Sequence, residues 1–158
     1  MIVVGIDPGI ATVGCGVIEA PPLQHLDDGA IWTPAGIPQP ERLLKVYRWV
    51  SKILAYWQPD SLAIEKLYFS KNVTSALQVA EARGVILLAA ADRGIPVAEY
   101  TPQEAKVAVT GSGKAGKRQV QEMVRRLLDL DKIPRPDDAA DALAVAICHA
   151  NRWRAGGE

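Results

Sequence analysis

The chain is short of the residues on which several common chemistries depend. It has two cysteines, Cys15 and Cys148, with no metal-type spacing and apolar neighbours. Buried thiols of that kind fit a reducing compartment, and a cytoplasmic location is expected. Its two histidines, His25 and His149, read as surface or helix-end residues. No Ser/His/Asp or Cys/His arrangement is legible, which argues against a nucleophilic triad. No apolar run approaches the ~20 residues of a membrane span. The first residues lack the basic start, apolar core and cleavage site of a signal peptide, so neither membrane nor secretion is expected. Charge of one sign is not in excess: 18 basic and 18 acidic residues cancel. That argues against coating nucleic acid nonspecifically, but a net sum hides patches, and a basic face around an acidic pocket stays open. No internal repeat, low-complexity tract or linker divides the 158 residues. One domain over 1–158 is expected, long enough to bury a core without staples.

What is present alternates between strand and helix patterns. Residues 2–7 are apolar in near-continuous order and end in Asp7, which suits a strand buried on both faces. Gly5 and Gly9 leave room for close backbone approach. Thr12 to Ala20 reads as an antiparallel partner, and Ala30 to Thr33 as a shorter third strand. After a proline-rich loop, apolar residues repeat at three and four from Leu43 to Trp57, predicting an amphipathic helix. Ser61 to Leu67 is the next strand, again apolar up to an acid, Glu65. The crossover between suggests that it lies parallel to the first. Asp7 and Glu65 would then share the carboxyl end of the sheet, where open α/β sheets place ligands. Residues 73–93 form an Ala-rich helix that is apolar on more than one side, so it is buried twice or pairs with another chain. A fifth strand at 96–100 and helices at 102–110, 118–128 and from Asp137 onward complete the pattern.

Four acids form the first candidate site. Asp138 and Asp141 are three apart on a helix and share a face. The alanines around them are small enough to let that helix lie close to the sheet, within reach of Asp7 and Glu65. Two carboxylates ~4 Å apart repel by ~4 kcal/mol at an effective dielectric near 20. Four of them together need compensation, and a hard cation such as Mg²⁺ supplies it. Two such ions ~3.5–4 Å apart suit phosphodiester hydrolysis. For Asp137, stabilisation of the helix N-terminus is the simpler reading. The loop 111–118 nearly matches a P-loop, but Arg118 stands where a hydroxyl is required. It reads better as a basic loop in which Lys114, Lys117 and Arg118, with Lys106 upstream, hold a nucleic-acid backbone. Arg125 and Arg126 fit either that role or a solvated face. Tyr68 and Phe69 (the chain's one phenylalanine) lie between Lys66 and Lys71, placed to stack on bases.

At these residues the chain resembles a known family, the RuvC-type Holliday junction resolvases, over nearly its whole length. The matching stretches are Gly-Ile-Asp-Pro-Gly (5–9), Ala-Ile-Glu (63–65), Ser-Ala-Leu-Gln-Val-Ala-Glu-Ala-Arg-Gly-Val (75–85) and Asp-Ala-Ala-Asp-Ala-Leu-Ala (138–144). The resemblance implies an RNase H-like α/β fold with a central mixed five-stranded sheet and helices on both faces. It also implies a homodimer that makes Mg²⁺-dependent paired cuts in four-way junction DNA, with Mn²⁺ as a substitute. It assigns Asp7, Glu65, Asp138 and Asp141 as catalytic metal ligands and Lys106 and Lys117 to the cut strand. It places a base-stacking aromatic at Tyr68, with Phe69 next to it leaving open which ring stacks. A RuvA–RuvB-type branch-migration complex is the implied partner. Rival readings are a fold relative with another substrate, such as a ribonuclease H- or transposase-like nuclease, an actin-like or P-loop phosphate binder, and a non-catalytic junction binder.

Overall fold

The computed structural model describes residues 1–67 and 72–156. Tyr68, Phe69 and Lys71, expected to contact DNA, lie outside them. One mixed sheet organises the chain: β1 (Ile2–Pro8), β2 (Thr12–Glu19), β3 (Gln24–Trp32), β4 (Ser61–Glu65) and β5 (Val97–Tyr100). Their spatial order is β3-β2-β1-β4-β5. β1, β2 and β3 form an antiparallel meander, and β4 and β5 run parallel to β1. β1 is central, and its residues from Val3 to Pro8 are all buried, as its unbroken apolar run requires.

The third strand is a correction. It covers nine residues from Gln24 to Trp32 rather than the short piece expected at 30–33. Gln24, His25, Asp27 and Asp28 carry no apolar signal because β3 is an edge strand and half exposed. Backbone pairing with β2 sustains it where side-chain pattern does not. β4 ends at Glu65 rather than Leu67, although the Lys66 amide still donates to the Tyr100 carbonyl at 2.8 Å.

Helices cover both faces. On one side, α1 (Gln39–Trp57) and α2 (Val73–Asp92) close a core around Val4, Ile6, Val17, Leu62 and Ile64. α1 turns Arg42, Val46, Val50 and Leu54 inward at a spacing of four. Arg42 ends its buried stem by donating to the Ile10 and Thr33 carbonyls at 2.8 and 3.4 Å. On the other side, α3 (Pro102–Thr110), α4 (Lys117–Leu127) and α5 (Asp137–Ala155) close a second core with Val3, Ile18 and Ala63. α3 starts where Thr101 accepts from the Glu104 amide and Pro102 takes the first helical position.

α2 departs from the expectation that no segment could span a bilayer. By length and composition alone it is apolar enough. Its mid-helix Arg83, however, is fixed to Glu99 at 2.6 Å, and Ala82, Ile86, Ala89 and Ala90 are buried. Leu77 and Leu88 remain 59% exposed, so α2 has a second apolar face that this chain does not cover.

Candidate active site

The site is built by three elements that end or begin at one edge of the sheet. Asp7 stands near the end of β1 and Glu65 at the end of β4. The parallel register pairs Gly5 with Ala63 and Ile6 with Ile64, so the two acids follow side by side. The third element is α5, whose first two turns carry Asp138 and Asp141.

α5 can reach these acids because the sheet beneath it is stripped of side chains. Gly5 pairs with Gly16, and Asp7 with Gly14, across β1 and β2. A methyl group at Gly5 would collide with the Ala142 carbonyl, and one at Gly14 with the Asp138 carbonyl. The helix answers with small residues, Ala139, Ala142 and Ala146, all fully buried. Gly5 was legible as clearance in the sequence. Gly14 was not, because its role depends on a helix more than a hundred residues later.

The four acids converge. The Asp7 carboxyl lies within hydrogen-bonding reach of both Glu65 and Asp141 and feels the charge of Asp138. Burial first, then Glu65 and Asp138, push the Asp7 carboxyl up to about 9, against the opposing effect of Asp141. Asp141 is raised to about 7, by burial first and by Asp7 next. Glu65 is raised by burial, against the opposing effects of its bond to Asp7 and of nearby Lys106. Two carboxyls hydrogen-bond to each other only through a proton. Among the described residues no three His, Cys, Asp or Glu side chains are already caged around a cation position. Carboxyls this close stay together only by sharing protons or a cation, and a cation would take the protons' place. The donor set is oxygen-only, as Mg²⁺ and Mn²⁺ prefer, and Asp7 is only 8% exposed. The residues therefore fit the group.

Basic residues rim the acids. Lys106 and Lys117, with Glu65 and Asp141, line a cleft of about 210 Å³. A second cleft of about 210 Å³ shares Glu65 and is lined by Pro8, Ile10, Lys66 and Leu67. Lys117 is paired with Asp137 at 3.2 Å, which raises its pKa, and Arg135 reaches Asp137 from the other side at 3.1 Å. Asp137 lies in the first turn of α5, and its carboxylate pairs with both cations. Lys114 and Arg118 are exposed on the loop and first turn before the site. That loop follows helix α3 rather than a strand, which removes the P-loop reading. Arg125 and Arg126 are occupied by Glu122 on their own helix.

Two supports were missed in the sequence. Arg83 bonds Glu99 and also donates to the Glu65 carbonyl at 3.5 Å, tying α2 to the end of β4. His149, read as a surface or helix-end residue, is buried. Its Nε2 pairs with Ser61 Oγ at 2.8 Å and its Nδ1 with the Tyr100 hydroxyl at 2.7 Å. The reason is that α5 packs on the sheet along most of its length, so proximity to a helix end does not mean exposure.

A mixed sheet of this order, wrapped by helices on both faces and ending in a carboxylate cluster, is the RNase H-like architecture. The sequence model of crossover junction endodeoxyribonuclease RuvC matches residues 3–149. The RuvC of Chloroflexus aggregans is 60% identical, covering 92% of this chain and 90% of that protein. The RuvC of Thermotoga petrophila is 51% identical, covering 98% and 95%. In structure, Thermus thermophilus RuvC in complex with a Holliday junction substrate superposes with a TM-score of 0.91 at 36% identity, covering 99% of this chain and 96% of that one. The yeast mitochondrial resolvase Ydc2 shares the fold, with a TM-score of 0.68 at 16% identity and coverage of 97% and 78%. The chain belongs to the RuvC family of crossover junction endodeoxyribonucleases.

Proposed function

We propose that the chain resolves four-way DNA junctions as a Mg²⁺-dependent homodimer, making paired symmetric cuts during recombination and repair. The observation that carries this reading is the convergence of Asp7, Glu65, Asp138 and Asp141, with the Asp7 carboxyl pushed up to about 9. Such a group is tuned to bind a cation or a proton, not to stand ionised alone. Asp7, Glu65, Asp138 and Asp141 would hold one or two Mg²⁺ ions, or Mn²⁺ in their place, which would supply Lewis-acid activation of water and charge stabilisation at the leaving oxygen of a phosphodiester. Asp7 interacts with both Glu65 and Asp141, so it would be the central ligand. Lys106 and Lys117 hold the phosphate of the strand to be cut, and Lys114 and Arg118 hold the backbone beyond it. Lys117 leaves Asp137 for that phosphate at little cost, because the pair is exposed. Tyr68, Phe69 and Lys71 are assigned to the unstacked bases next to Glu65.

The junction as substrate is supported by the Thermus thermophilus relative, which is described bound to one. The open apolar face of α2, with Leu77 and Leu88, is assigned to the dimer contact. A twofold protein then meets a twofold junction with two sites. The same reading places the protein in the cytoplasm, where a RuvA–RuvB-type complex delivers junctions.

The test compares an end-labelled synthetic junction with a linear duplex of the same sequence and an RNA–DNA hybrid. Junction cleavage that requires Mg²⁺ or Mn²⁺, stops with EDTA and leaves 5′-phosphate ends is expected. Preferential cleavage of the hybrid contradicts the substrate assignment, and junction cleavage that persists in EDTA contradicts the metal assignment.

A further inference from the structure

The basic residues of this protein fall into two groups. Arg83, Lys117, Arg125, Arg126, Arg135 and Arg152 are each paired with a carboxylate. Among the described residues, Lys45, Arg48 and Lys52 are not, and neither are Arg42, Lys66, Arg93, Lys106, Lys114, Arg118 and Lys132; Lys45, Arg48 and Lys52 stand out because they share one exposed helix face. These three lie at i, i+3 and i+7 on α1, all exposed, and so form one stripe on the face opposite its buried Val46, Val50 and Leu54. Among the described residues, the Lys45 ammonium is held only by the Trp32 carbonyl, at 3.1 Å. A cleft of about 370 Å³ lies between α1 and β3 beneath them, walled by Ile31, Leu44 and Trp49, with Glu41 at its head. Trp32, at the end of β3, is 63% exposed beside it.

The stripe is connected to the acidic site. Trp32 pairs with Thr12 across β2 and β3, and the Thr33 amide donates to the Ala11 carbonyl at 2.8 Å. Arg42 ties α1 to the Ile10 carbonyl at 2.8 Å. Ala11 and Ile10 belong to the turn that follows Asp7 and Pro8. The stripe therefore begins near the rim of the site and runs away from it down α1. Seven residues of helix span about 10 Å, the axial rise of about three phosphates on one strand.

We propose that the outer face of α1, with Trp32, is a second nucleic-acid surface that grips the backbone of a duplex arm leaving the acidic site. This rests on the junction reading above and extends it: the site reads the branch point, and the stripe reads arm length. Phosphates supply the missing counter-charge of Lys45, Arg48 and Lys52. The exposed indole of Trp32 lies against the sugar edge. An acidic protein would satisfy the same charges, and the test separates it from DNA.

The experiment uses the full chain and its triple variant Lys45→Gln/Arg48→Gln/Lys52→Gln, whose positions are exposed and whose helicity circular dichroism checks. Binding is measured on junctions with arms of about one helical turn (~10 base pairs) and about three turns, over a range of salt. Wild type is expected to bind long arms more tightly than short ones. The variant is expected to lose this preference, to bind long-armed junctions roughly tenfold or more weakly, and to show a salt slope shallower by roughly 2–3. An unchanged slope and arm preference overturn the inference, an acidic protein partner then being the better occupant. Wild type that neither binds nor cuts any junction overturns the junction reading as well, so the two failures are distinct.

Discussion

Asp7 shows how a single residue can be placed against its own stability. Its carboxyl is pushed from 3.8 up to about 9 by burial first, then by Glu65 and Asp138. The folded state therefore binds more protons than the unfolded state between those values, and stability falls as pH rises through that window. Without divalent metal, thermal unfolding temperature should decline from about pH 4 towards pH 9, and Mg²⁺ should restore it. Asp7→Asn should flatten the decline and raise Tm at pH 7.5 in EDTA, by about 2–4 °C for each kcal/mol of repulsion relieved. A lower Tm for the variant in EDTA would show that the cluster is not strained. His149 acts in the opposite sense. Burial lowers its pKa, so the folded ring stays neutral while the unfolded one takes a proton below about 6.5. Its contribution is present above that value and is lost as pH falls. His149→Gln should cost roughly 1–3 kcal/mol at pH 8 in urea unfolding, and the gap to wild type should narrow by pH 5.5. A gap that widens on acidification contradicts a neutral buried ring.

At the scale of elements, the site depends on how closely α5 lies on β1 and β2. Gly14→Ala should push the Asp138 end of α5 off the sheet. Expected results are a loss of stability of roughly 1–3 kcal/mol and a fall in cleavage larger than stability explains, because acids displaced by ~1 Å would no longer meet the proposed cation. Wild-type activity in a folded Gly14→Ala protein would show that the approach is not needed. What the sequence made legible follows the same line. β1, α1 and β4 were readable because they are buried in regular patterns, and Asp7 and Glu65 because each ends an apolar run. The Asp138–Asp141 pair was readable from helix spacing among alanines. β3 was underestimated because an edge strand needs no apolar alternation. Gly14, Arg83 and His149 were missed because their partners are distant in sequence: Asp138, Glu99, and Ser61 with Tyr100. Each becomes visible only when the topology is known.

For the whole molecule, α2 and the carboxylate edge divide the work. One face of α2 closes the core, while Leu77 and Leu88 stay 59% exposed. Leu77→Asp/Leu88→Asp should convert a dimer into a monomer at micromolar concentration in sizing experiments, and paired cuts should become single nicks. A wild-type monomer under those conditions removes the dimer from the account. The carboxylate edge is proposed to hold the cations that cut the junction. The most direct test of that proposal is cleavage of a synthetic four-way junction with Mg²⁺ by wild type and by Asp7→Asn, with junction binding measured in parallel. The account predicts that the variant binds as well as wild type and does not cut; full cleavage by Asp7→Asn would contradict it.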